Sequence, residues 1–148
     1  MRVLGSVMAG QHTPLGAGRG EARFHWIEAL ALLALCSAYL EGGIVKALDF
    51  NSALGEMHHF GIEPAMPAAL ATIALELLAP VAILAGRARW AGALALAVFT
   101  LMATFVANRF WDMTGAERFG ATNAFFEHLG LAGAFVLVAW HDLRAPRS

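Results

Sequence analysis

The sequence predicts an all-α fold, an integral membrane four-helix bundle with both termini cytoplasmic, and three observations carry that expectation. The composition is apolar and poor in charge: 59% of the 148 residues are hydrophobic and 14% charged, where an average soluble domain has about 25% charged. The apolar residues gather in four stretches. One of them, "WAGALALAVFTLMATFVAN" at 90–108, has no Asp, Glu, Lys or Arg and matches the ~20 residues a helix needs to cross a bilayer. The stretches are long and rich in Ala and Leu, and only helices and closed barrels satisfy their backbone in lipid.

Residues 1–24 are rich in Gly and lack the apolar core of a signal peptide. They are expected to form a flexible tail, with a short interfacial helix near Val3 to Met8 as the one candidate element. The membrane domain is expected over 25–142. Its first span covers about 26–48, and the segment "DFNSALGEMHHFGIEP" reads as a loop before the second span at about 66–85. The short turn "GRAR" leads into the third span at 90–108. The loop "RFWDMTGAERFGAT" precedes the fourth span at about 123–140, and 143–148 form a C-terminal tail. No internal repeat is evident.

Four spans put both termini on one side of the bilayer. That side holds Arg2, Arg19, Arg23, Arg87, Arg89, Arg144 and Arg147, while the other receives only Lys46, Arg109 and Arg118. The positive-inside rule places the Arg-rich side in the cytoplasm. Trp26, Trp90 and Trp140 fall at the same ends of their spans, where an aromatic belt belongs, and Trp111 marks the opposite side. The expected location is the cell inner membrane, crossed several times. Net charge is −1, which argues against a nucleic-acid partner. A lone Cys36 excludes an intrachain disulfide and a dithiol motif, and it reads as a buried packing residue. Adjacent His58 and His59, near Glu56 and Glu63, point in different directions and read as a solvated loop, so no metal site is expected. No cofactor-binding motif stands out.

Ionisable groups inside a membrane are costly and usually face protein or water. Asn123, Glu127, Gly130 and Ala134 recur at i, i+4, i+7 and i+11. Small residues allow close helix approach, so this stripe is expected to face the bundle and carry Glu127 inward, with His128 about 100° further round. Ala69, Thr72, Glu76 and Ala79 form a similar side of span two. Pro80, four residues after Glu76, leaves the Glu76 carbonyl without its usual N–H partner. Span three offers Thr100, Thr104 and Asn108. In span one, Ser37 and Glu41 share a face, and Gly43 and Lys46 share another with Tyr39. The expectation is a polar pocket built from Glu41, Lys46, Glu76, Asn108, Asn123, Glu127 and His128. Desolvated acids there are candidates for proton transfer. The plainer alternative is that Lys46 and His128 reach to the interface as anchors and that the small-residue stripe is packing alone.

The motifs "GGIVKAL", "FGIEPAMPAALA", "ELLAPVAILAGRARWAG" and "NAFFEHLGLAGAFVLV" resemble those of the DoxX family of small four-helix membrane proteins. The resemblance covers about 36–140 and rests on Gly43, Lys46, Pro64, Glu76, Gly86, Arg87 and Asn123. One departure stands out: where many members carry a histidine before the Phe-Trp pair, this chain has Asn108 and Arg109 before Phe110 and Trp111. The role of that histidine is therefore not carried over. The family takes its name from subunits associated with archaeal quinone-linked oxidation of sulfur compounds, and other members are implicated in membrane oxidoreductase assemblies and in thiol or oxidative stress. The resemblance implies a redox-associated subunit near the quinone pool, with quinone as its candidate ligand and other membrane or redox subunits as partners beside the bilayer. The alternative is a non-catalytic structural or assembly subunit.

Overall fold

A computed structural model describes residues 17–145. Five α-helices follow in order: α1 Ala17–Leu48, α2 Phe50–His59, α3 Ala65–Leu84, α4 Arg89–Ala107 and α5 Gly115–Arg144. A single 3-10 turn, Phe110–Asp112, joins α4 to α5, and the described residues contain no strand. Helices α1, α3, α4 and α5 each contain a stretch long and apolar enough to span a bilayer. These are the four expected spans. The N-terminal tail expected over 1–24 and the helix near Val3 to Met8 lie outside the described residues as far as residue 16, and α1 is already helical from Ala17. At the other end α5 continues to Arg144, and 146–148 lie outside.

Two elements differ from expectation. Residues 50–59, read as loop, form α2. The signal was present: Phe50, Ala53, Leu54 and Met57 stand at i, i+3, i+4 and i+7, the stripe of an amphipathic helix. Asp49 caps it, its Oδ1 accepting the Ser52 N–H at 3.1 Å. Helix α5 begins at Gly115, well before the expected start of span four, because a helix that extends past the bilayer needs no apolar run to continue.

The spans pack through small residues and leave large apolar ones outside. Leu33, Leu78, Val98, Met102 and Leu137 are exposed on the bundle surface, whereas Cys36, Ala79, Ala93, Ala97, Ala132 and Ala139 are buried. That distribution suits a lipid environment, where helix association depends on close packing. At Gly92 an added Cβ would stand 2.7 Å from the Ala79 carbonyl oxygen, so glycine is what lets α4 approach α3. Tyr39 fills the centre, edge-on to Phe99 and Phe135. Its hydroxyl lies 2.6 Å from Thr100 Oγ1. Thr100 donates its one hydrogen to the Leu96 carbonyl, so Tyr39 donates to Thr100 and ties α1 to α4. At one end of the bundle Glu28 pairs with Arg89 at 2.6 Å and Asp142 accepts the Trp90 N–H at 3.0 Å. The start of α1, the start of α4 and the end of α5 therefore share that end. Helix α2 and the 3-10 turn cover the other.

Candidate functional site

Lys46 lies in the last turn of α1, and Glu76 lies midway along α3. Gly43 brings the two helices together: a Cβ there would stand 2.9 Å from Leu77 Cδ2 and 3.1 Å from Glu76 Cβ. The Lys46 ammonium donates to both Glu76 carboxylate oxygens at 3.1 Å. The Glu76 side chain is 8% exposed and that of Lys46 16%. Neither is an interfacial anchor. A third charge joins them, since Glu56 on α2 places Oε2 3.7 Å from Lys46 Nζ. One cation thus faces two carboxylates.

Beside this triad, residues of α2, α3 and α4 line a half-open cavity of about 450 Å³. Ligand sites run to about 300–1,000 Å³ and are mostly apolar with a few placed polar groups. Here the walls are apolar, with Met57, Phe60, Leu75, Phe99 and Met102 among them, and the polar side chains lining it are Glu56 and Thr72. Met102 and Val106, which also line it, are exposed on the bundle surface, so a molecule dissolved in the bilayer can reach it.

The structure does not gather the seven sequence-derived residues into one polar pocket. It brings together Lys46 and Glu76. Glu41 is exposed on α1 and makes no hydrogen bond or ion pair with Lys46 or Glu76. Asn108 caps the far end of α4 and donates from Nδ2 to Thr104 Oγ1 at 3.1 Å. Asn123, Glu127 and Gly130 are exposed, so the stripe expected to face inward faces outward. The inward side of α5 is Ala132, Phe135 and Ala139, because the rings of Tyr39 and Phe99 demand a bulky apolar complement there rather than glycine. His128 is half-buried, with Nδ1 against the Ala124 carbonyl of its own helix. Among the described residues, no group of three or more His, Cys, Asp or Glu is arranged to hold a metal. The site residue that the sequence pattern leaves out is Glu56, since it falls in the segment expected to be a loop. Recognising α2 as an amphipathic helix would have placed it one residue from the buried Met57.

Four apolar spans around a buried ion pair define a small polytopic membrane protein. The DoxX family profile matches residues 29–109, and the chain belongs to the DoxX family. That match takes in α1 through α4, with both Lys46 and Glu76, and stops short of α5. The chain is similar to the inner membrane protein YphA of Escherichia coli (strain K12), at 26% identity over 110 residues that cover 74% of this chain and 79% of that protein. No solved structure matches it significantly. The protein is a multi-pass inner membrane protein embedded in the lipid bilayer.

Proposed function

We propose that this protein is a redox-associated subunit at the quinone pool that binds the ring of an isoprenoid quinone in the cavity between α2, α3 and α4, with both termini in the cytoplasm. The observation that carries the reading is the cavity: apolar walls within the membrane domain, with Glu56 and Thr72 as its polar lining. An apolar ring with polar oxygens and a lipid tail fits that lining, and the exposed Met102 and Val106 leave the tail a way into the bilayer. Phe60 and Phe99 offer faces for the ring. Lys46 and Glu76 hold α1 against α3 behind the site, and the Lys46 ammonium also faces the Glu56 carboxylate. In this reading electrons reach the quinone from a partner subunit.

Filling the cavity tests the reading. Ala103→Phe puts a ring where a small wall residue now stands. Protein purified in mild detergent is expected to carry quinone, measured by extraction and mass spectrometry, with at least about a tenfold loss in the variant. Equal quinone content in the two proteins, both still folded, rules the site out.

A second reading, a non-catalytic assembly subunit, has its own observation. Asn123 and Glu127 stand exposed on α5 beside Gly130 and Gly133, where an added Cβ would meet nothing within 4 Å. A partner helix could lie against that open face. If it does, Glu127→Leu lowers the mass of the native complex on a non-denaturing gel and leaves quinone content alone. An unchanged complex removes this reading.

A further inference from the structure

We infer that the cavity selects the reduced, hydroxylated form of its ring ligand, a hydroquinone, over the oxidised quinone; this deepens the quinone reading above and rests on it. The argument is an inventory of donors and acceptors. A quinone oxygen is a carbonyl and can only accept, whereas a hydroquinone oxygen carries a hydrogen and can donate. The cavity presents one carboxylate, Glu56, and one hydroxyl, Thr72. A carboxylate only accepts and a hydroxyl does either, so Thr72 suits both forms and Glu56 suits one.

Other donors are occupied. The backbone N–H groups of Phe60 and Ile62, both in the lining, already donate to the Glu56 and Met57 carbonyls at 3.1 and 2.9 Å. The wall residues of α3 and α4 lie inside helices, where their N–H groups serve the helical ladder. The one ammonium nearby, Lys46, is absent from the lining and is held by both oxygens of Glu76 at 3.1 Å. A quinone carbonyl brought to Glu56 would meet lone pairs with lone pairs. A hydroquinone hydroxyl would instead make a charge-assisted hydrogen bond, the stronger kind. Lys46 is here a positioning residue, since it holds Glu56 toward the bundle without lining the cavity.

The test is equilibrium binding, without oxygen, of a decyl-tailed benzohydroquinone and of the corresponding benzoquinone to the full chain in phosphatidylcholine nanodiscs. The wild type is expected to bind the reduced form at least about tenfold more tightly, the ratio that one hydrogen bond to a charged group supplies. Glu56→Gln, whose amide can also donate, brings the ratio close to one by raising quinone affinity, and Glu56→Asp keeps the wild-type preference. Equal wild-type affinities for the two forms, or a ratio untouched by Glu56→Gln, overturn the inference and leave quinone binding standing. Failure of both forms to bind overturns the inference and the underlying reading together. The wild-type ratio needs no variant to be read.

Discussion

Lys46→Met is expected to destabilise the bundle by about 3–5 kcal/mol, the usual cost of removing one partner from a buried ion pair. The reason lies in what remains. Glu76 would keep its buried position, with a side chain 8% exposed, and would lose the ammonium that now satisfies both of its oxygens. Removing the carboxylate as well should restore most of the loss, because an apolar pair of similar volume replaces a buried salt bridge at little or no cost. The double variant Lys46→Met with Glu76→Met is therefore expected to be more stable than Lys46→Met alone. Sodium dodecyl sulfate titration of the detergent-solubilised protein, followed by circular dichroism, reads all four corners of the cycle. Were Lys46→Met to unfold within about 0.5 kcal/mol of the wild type, the pair would be a solvated contact and the buried site described above would not exist.

Gly92→Ala is expected to cost about 1–3 kcal/mol, the range for overpacking a closely fitted contact. Its Cβ would meet a backbone oxygen, Ala79 O, at 2.7 Å and Ile83 Cγ1 at 3.2 Å. A carbonyl inside a helix cannot swing aside, so α3 and α4 must separate. Alanine favours an isolated helix over glycine by about 1 kcal/mol, which acts in the opposite direction, and the steric cost is expected to exceed it. Gly120→Ala on α5 supplies the control. There a Cβ meets nothing within 4 Å, and the same substitution should stabilise by about 0.4–1 kcal/mol through the unfolded chain alone. Thermal unfolding of the two variants in one detergent should shift in opposite directions. A Gly92→Ala protein as stable as wild type would mean that the contact between α3 and α4 is loose.

These expectations differ in how far the sequence foretold them. The ion pair was half legible: Lys46 and Glu76 each stood out as a costly charge in an apolar span, and a desolvated acid needs a cation. The apolar spacing of Phe50, Ala53, Leu54 and Met57 marks α2 as a helix, but spacing along one ten-residue helix does not say that Glu56 meets Lys46 on another. The stripe on α5 misled for a related reason. Glycines permit close approach but do not name a neighbour, and on α5 an added Cβ at Gly130 or Gly133 would meet nothing within 4 Å. On α4, where Gly92 touches Ala79, the same kind of residue does mark an internal contact.

Sequence alone therefore determined the membrane class, the four spans and the set of ionisable residues, Lys46 and Glu76 among them, that are costly inside a span, since hydropathy and desolvation act on each residue whatever surrounds it. Tertiary structure decided which face of each helix turns inward, how α2 packs on α3 and α1, and where the cavity lies. Those outcomes depend on shape complementarity between side chains far apart in the chain: Tyr39 seating against Phe135, and Gly92 against Ala79. Periodicity along a single helix carries no record of either.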